Sequence, residues 1–113
     1  MNAKSMNESH ALDNLFATIA ARKAAGDTGQ SYTANLLAQG VEKCAKKFGE
    51  EAVETVLAAV SGDPRQLASE SADVLYHLLV LWAAAGVTPD DVYAVLKGRE
   101  SQSGLAEKAA RTS

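Results

Sequence analysis

Two short stretches of the sequence carry a high density of carboxylates. Glu50, Glu51 and Glu54 fall close together in the first stretch, and Glu70 is followed by Asp73 in the second. On an α-helix, which turns about 100° per residue, Glu50 and Glu54 share one face and Glu51 flanks them, while Glu70 and Asp73 lie one turn apart. So many carboxylates close together, with too few cationic side chains to pair with them, indicate a site for a divalent cation.

The chain between the two stretches predicts how they come together. A long helix over about residues 41–60 is followed by Ser61-Gly62-Asp63-Pro64, which is typical of one helix ending and the next beginning. So short a loop makes the next helix, residues 64–85, antiparallel to the first. Glu54 and Glu70 are equally far from the loop and therefore lie at similar heights. The convergent acids offer oxygen ligands, which favour hard cations such as Mg²⁺.

The other segments also have helical patterns. Helices are predicted from Ser9 to Gly26, from Ser31 to Gly40 and from Thr88 to Arg99. No stretch alternates between apolar and polar residues with a period of two, so no strand is predicted. The expected fold class is therefore all-α, a compact bundle of four to five helices.

Helical projection predicts which side of the two long helices is buried. Residues 74–85 are apolar almost all round, which indicates a central helix whose polar edge carries Glu70, Asp73 and His77. The core face expected for residues 41–60 consists of Val41, Ala45, Phe48, Ala52, Val56 and Ala59, with the lysines and glutamates opposite.

The alternative interpretation of the first acidic stretch is a solvated helix face. Lys46–Glu50 and Lys47–Glu51 are spaced four apart, and such pairs contribute about 0.2–0.5 kcal/mol each. The lysines precede the glutamates, however, which is the less favourable order. The second stretch also leads into the most apolar helix, where a carboxylate is costly unless it is paired or binds a metal.

His77 lies one turn beyond Asp73 on the same edge. A lone histidine on a buried helix is more often a hydrogen-bonded core residue than a metal ligand, and Mg²⁺ prefers oxygen. We therefore expect His77 behind the metal ligands, in the second shell, and not among them.

Composition limits the partners and the location. The 113 residues carry a net charge of −3 and 47% hydrophobic side chains, which is typical of one small globular domain with no basic surface for nucleic acid. The longest apolar run is too short to span a membrane. The single cysteine, Cys44, and the lack of a secretory signal predict a buried thiol in a cytoplasmic protein. The expected divisions are a flexible N-terminus at 1–8, the domain at 9–100 and a polar tail at 101–113.

The acidic motif resembles a known signature. Glu50-Glu51-x-x-Glu54 with Glu70-x-x-Asp73 is similar to that of the all-α nucleoside-triphosphate pyrophosphatase superfamily, which has the MazG-like fold. Ser31-Tyr32-Thr33 and the run Asp-Val-Leu-Tyr-His-Leu-Leu-Val-Leu at 73–81 narrow the resemblance to the phosphoribosyl-ATP pyrophosphatase family. The resemblance covers about residues 12–100.

The resemblance implies a Mg²⁺-dependent hydrolysis of phosphoribosyl-ATP to phosphoribosyl-AMP and pyrophosphate, the second step of histidine biosynthesis. It also implies a homodimer or a larger homo-oligomer. No segment upstream is long enough for the cyclohydrolase to which this family is often fused, so a stand-alone form is expected. The implied metal-binding acids are Glu50, Glu51, Glu54 and Asp73, with Glu70 as the remaining acid of the signature.

Hydrolysis of a phosphoanhydride requires neutralisation of phosphate charge and an activated water. Either Glu51 or Glu54 can be the base toward that water, and the sequence leaves both open. The candidate substrate contacts are Lys43 and Lys47 for phosphate, although these lysines are equally consistent with a solvated face, and Tyr32 and Thr33 for the base or sugar.

Two other functions are consistent with the same residues. A housekeeping pyrophosphatase acting on free or damaged nucleotides shares the metal site and differs only in the pocket for the base and second ribose. A non-catalytic helical assembly module would carry the acids as a solvated face, and it predicts no stabilisation by Mg²⁺.

Overall fold

The computed structural model describes residues 10–100 and folds them into five α-helices joined by short turns. The helices are α1 (Ala11–Ala25), α2 (Tyr32–Ala38), α3 (Val41–Ser61), α4 (Pro64–Ala85) and α5 (Pro89–Glu100). Residues 10–100 contain no strand. The predicted all-α class is confirmed, and the helix bounds lie close to the predicted ones. The predicted tails, 1–8 and 101–113, lie outside the described residues.

Local sequence signals set the helix ends. Gly62 closes α3 with φ at 82°, a left-handed conformation that glycine adopts without steric cost. Asp63 then caps α4, because its Oδ1 accepts a hydrogen bond from the backbone N–H of Arg65 at 3.0 Å. Ser31 caps α2 in the same way, with its Oγ accepting from the N–H of Ala34 at 3.1 Å. These caps fix the turn between α3 and α4 and the start of α2.

The core lies where α1, α2, α3 and α4 meet. Cys44 contributes to it as predicted, and its thiol donates to the backbone oxygen of Leu36. Each fully buried aliphatic side chain in this core stabilises the fold by about 1.5–3 kcal/mol. The buried cluster consists of Ile19, Leu36, Leu37, Cys44, Leu79, Val80 and Ala83.

The last helix packs against the first. Tyr93 on α5 donates a hydrogen bond from its hydroxyl to Asp13 Oδ1 on α1, at 3.0 Å. Thr88 and Asp91 cap each other's backbone N–H groups at the start of α5. Among the described helices none is by itself long and apolar enough to cross a membrane; α4 and α5 meet those criteria only as a pair, bent by 109°.

The predicted core face of α3 is wrong for four of its six residues. Val41, Ala45, Val56 and Ala59 are exposed, whereas Phe48 and Ala52 are half-buried. The helix fully buries Cys44 and Ala58 instead. Apolar residues occur on more than one side of α3, so their period alone does not decide which side meets the rest of the chain. The rotation that the structure adopts turns Glu51 toward α4.

Candidate active site

An acid cluster forms where α3 and α4 pack side by side. It consists of Glu51 from α3 with Glu70 and Asp73 from α4, and one carboxylate oxygen of each lies within 4.8 Å of the others. Glu51 and Glu70 are half-buried and Asp73 is exposed, so the cluster opens to solvent on one side. The antiparallel helix pair predicted from the short loop therefore brings acids from both stretches to one place.

The electrostatics of the acid cluster fit a cation. The pKa of Glu70 is raised above its ordinary value, first by partial desolvation and then by the neighbouring charges of Asp73, Glu54 and Glu51. Lys47 lies nearby, with its Nζ 3.8 Å from Glu51 Oε1. A divalent cation among these oxygens would offset the mutual repulsion of the carboxylates, and the all-oxygen donor set suits Mg²⁺.

A second feature adjoins the acids along α3. A cavity of about 220 Å³, here called the lysine cavity, opens between α2 and α3. Lys47 belongs both to this cavity and, through Glu51, to the surroundings of the acid cluster. The two features therefore adjoin each other at Lys47. The cavity is lined by Tyr32, Leu36, Gln39, Lys43, Lys46, Lys47 and Glu50.

A larger cavity of about 470 Å³ lies elsewhere, between α1 and the C-terminal end of α4. Its walls include Phe16, Ala83 and Val87, and Lys23 on its edge donates to the backbone oxygen of Ala83 at 2.8 Å. None of the predicted site residues lines it, so its size is no guide to the chemistry.

His77 is buried next to the site, with 6% of its surface exposed. Two aromatic rings lie nearly perpendicular to it: the ring centroids of Tyr76 and Tyr32 are 4.9 and 6.3 Å from that of the imidazole. Its Nδ1 is buried without a hydrogen-bond partner among the described residues. Burial lowers the pKa of His77, and the opposing effect of Glu51 is smaller, so the ring is neutral at pH 7.

The structure sorts the other predicted residues by position. Glu54 lies near enough to raise the pKa of Glu70, but it is outside the acid cluster. Glu50 lines the lysine cavity instead. The hydroxyl of Thr33 is hydrogen-bonded to that of Tyr76, which ties α2 to α4. Tyr32, Lys43 and Lys47 all line the lysine cavity, and their role as substrate contacts stays a prediction.

Three residues of the site were not anticipated from the sequence. Gln39 lines the lysine cavity, Tyr76 holds Thr33, and Thr55 bonds to the backbone beside the acid cluster. Of the three, only Thr55 could have been found from the sequence, because it follows Glu51 by one helical turn and therefore lies on the same face of the helix. The other two depend on how α2 packs, which spacing along the chain does not show.

Comparison with known proteins decides the family. A family model described as Phosphoribosyl-ATP pyrophosphohydrolase matches residues 12–100. The chain belongs to this family. The resemblance inferred from the acidic motif and the 73–81 run is thereby confirmed.

Individual relatives agree with the family model over nearly their whole length. A phosphoribosyl-ATP pyrophosphatase of Parvibaculum lavamentivorans is 67% identical over 100 residues, which are 88% of this chain and 91% of the relative. One from Cereibacter sphaeroides is 62% identical, covering 88% and 96% of the two chains. One from Azospirillum brasilense is 59% identical over 102 residues, covering 90% and 91%.

Proposed function

We propose that the chain hydrolyses phosphoribosyl-ATP to phosphoribosyl-AMP and pyrophosphate, in the second step of histidine biosynthesis, at a divalent-cation site between α3 and α4. The observation that carries the proposal is an acid cluster that adjoins a lysine-lined cavity, in a chain of this family. A triphosphate needs both features. Its metal-chelating oxygens require a cation, and its remaining negative charge requires cationic side chains.

The acid cluster supplies the ligands for the cation. Glu51, Glu70 and Asp73 would hold Mg²⁺, with Glu54 and Glu50 as the flanking acids of the signature. When bound, the ion neutralises phosphate charge and stabilises the leaving pyrophosphate. His77 supports this site from behind as a neutral, buried ring and does not bind the ion itself.

The lysine cavity orients the substrate. Lys47 stands between the acids and the cavity, so its ammonium contacts the phosphate chain next to the cation, and Lys43 extends the positive charge along α3. Tyr32, which is 58% exposed, offers its ring at the rim for stacking on the base. Thr33 has its hydroxyl on Tyr76, so its contribution to base or sugar binding is to hold the start of α2 in place.

Hydrolysis requires a proton acceptor for the attacking water. The water oxygen forms a bond to phosphorus, the bridging P–O bond to pyrophosphate breaks, and the water's proton passes to a carboxylate. Of the two candidates, Glu51 belongs to the acid cluster and would be engaged as a ligand of the cation. We assign the base to Glu54, which is close to Glu70 yet outside the cluster.

The first test is pyrophosphate release from phosphoribosyl-ATP, ATP and a panel of dNTPs, with and without Mg²⁺. Of these nucleotides, we expect only phosphoribosyl-ATP to release pyrophosphate rapidly, and this release should require Mg²⁺. Glu51→Gln should reduce it on the order of 100-fold, since even indirect partners of a metal typically matter 10–100-fold. Glu54→Gln should lower kcat far more than cation affinity, because its charge acts on the acid cluster only from outside it. The control Glu42→Gln, an exposed acid at the start of α3, should match the wild type.

Each alternative has its own result in this assay. Turnover of dNTPs but not of phosphoribosyl-ATP would retain the metal chemistry and indicate a housekeeping nucleotide pyrophosphatase. No release from any nucleotide, together with no stabilisation by Mg²⁺, would contradict catalysis and favour a helical assembly module.

We propose further that the protein is a cytoplasmic homodimer. One side of α3 is apolar yet faces away from the chain's own core, and this outer face consists of Val53, Val56, Leu57 and Val60, between 59% and 81% exposed. A row of this kind on one helix is typical of a surface that a second protein covers. A second copy of the chain presents the same row and can bury it symmetrically. The free, buried thiol of Cys44 agrees with a reducing compartment.

A further inference from the structure

Thr55 connects the two helices that carry the acid cluster. Its Oγ1 lies 2.9 Å from the backbone oxygen of Glu51 on α3 and 3.1 Å from the backbone oxygen of Glu70 on α4. Both distances are within hydrogen-bonding range, and the side chain is half-buried. One hydroxyl proton is therefore shared between a carbonyl of each helix.

Only one of these two contacts is ordinary. A threonine within a helix commonly bonds to the carbonyl four residues earlier, as Thr18 does to Asn14 on α1 at 3.2 Å. The contact from Thr55 to Glu70 is different, because it joins residues 15 positions apart on neighbouring helices. Its two acceptors, moreover, belong to the residues whose carboxylates meet in the acid cluster.

We propose that Thr55 is a positioning residue for the cation site, which sets the distance and register between the backbones at Glu51 and Glu70. This inference rests on the proposed cation site. Because the hydroxyl contacts both backbones, it acts as a spacer between the helices. The carboxylates extend from the two backbones that the spacer connects, and metal sites lose affinity when their supporting contacts are loosened.

The test uses three substitutions of similar size. Thr55→Val removes the hydroxyl and keeps the branched shape, Thr55→Ser keeps the hydroxyl, and Thr18→Val removes a threonine hydroxyl that has only the bond within its own helix. Binding of Mn²⁺, as a spectroscopic substitute for Mg²⁺, is measured by the loss of the free-ion electron paramagnetic resonance signal. Urea unfolding of the metal-free proteins is measured in parallel.

Thr55→Val should weaken Mn²⁺ binding by about 10-fold or more, whereas Thr55→Ser should restore binding to near the wild-type level and Thr18→Val should leave it unchanged. If Thr55→Val is poorly folded, Thr55→Ala, which introduces no additional methyl group, carries the same expectation. A Thr55→Val protein that is less stable in urea but binds Mn²⁺ like the wild type would overturn the inference and leave the cation site standing. A wild-type protein that binds no Mn²⁺ would overturn the cation site and the inference together.

Discussion

At the scale of single residues, His77 shows how closely the core adjoins the acids. The ring is buried between Tyr32 and Tyr76, and it experiences the charges of Glu51, Lys47 and Asp73. Desolvation exceeds the attraction of the carboxylates, so the neutral form is favoured. A neutral ring adds no positive charge beside the cation site. Protonation of His77, by contrast, would place a positively charged imidazolium ring in the core.

The lowered pKa of His77 predicts how stability depends on pH. Because the unfolded chain takes up this proton at a higher pH than the folded chain, stability is fully present above about pH 6.5 and falls as the pH decreases below it. The loss is at most about 1.4 kcal/mol per pH unit for one proton. His77→Phe, which cannot be protonated, should flatten the pH dependence of urea unfolding in metal-free buffer between pH 6.5 and the lower pKa of the folded state.

His10→Gln, a substitution at the other histidine, on the exposed first turn, is measured in parallel as the control. An unchanged slope in His77→Phe would contradict a buried neutral ring.

At the scale of the elements, a side-chain cap at Ser31 helps to hold α2 in position over α3. The helix has 7 residues, and isolated helices of that length are unstable without capping and packing. Ser31 Oγ satisfies the N–H of Ala34, and Tyr32 at the rim of the lysine cavity follows directly. Loss of this cap is therefore expected to disturb the cavity as well as the helix.

Ser31→Ala should cost about 1 kcal/mol of stability and raise KM for the nucleotide, with a smaller change in kcat. Asp63→Ala is the matched control, since it removes the cap of α4 and costs about the same, but lies at the turn after α3 and outside the lysine cavity. Urea unfolding and steady-state kinetics of both variants check this. An equal rise of KM in both would mean that the effect follows stability and not the position of α2.

The elements also show what the sequence can and cannot predict. The break at 61–64 was predictable because glycine, aspartate and proline each have a specific role at a helix end, and the antiparallel pair followed from its shortness. The rotation of α3 about its axis was not predictable, because Val56 and Cys44 are both apolar and lie on different sides of the helix. That rotation decides which glutamates face α4, so Glu51 joins the acid cluster and Glu50 does not.

Contacts that depend on the packing of α2 were likewise beyond prediction. The hydroxyl bond between Thr33 and Tyr76 joins residues 43 positions apart, and nothing in the local sequence of either residue indicates its partner.

At the scale of the whole molecule, the two sides of α3 have different surroundings: one side packs on α4 and the other is exposed. The side that contacts α4 carries Glu51, Thr55 and the buried Ala58, so the acids are presented by intramolecular packing. The outer face, centred on Val56 and Leu57, is left exposed by the single chain. Association through the outer face would therefore stiffen the helix that carries the site without covering the acid cluster.

Burying one valine or leucine of the outer face is worth about 1.5–3 kcal/mol, so a charge placed at its centre should disrupt a dimer. At micromolar concentration, light scattering should give the wild type a mass of twice the chain mass of 11.8 kDa. It should give Leu57→Glu the mass of the monomer. Val95→Glu, at a comparably exposed apolar position on α5, should remain dimeric. A monomeric wild type would contradict the dimer. Dissociation by Val95→Glu, with Leu57→Glu still dimeric, would place the interface on α5 and leave the outer face of α3 for another partner.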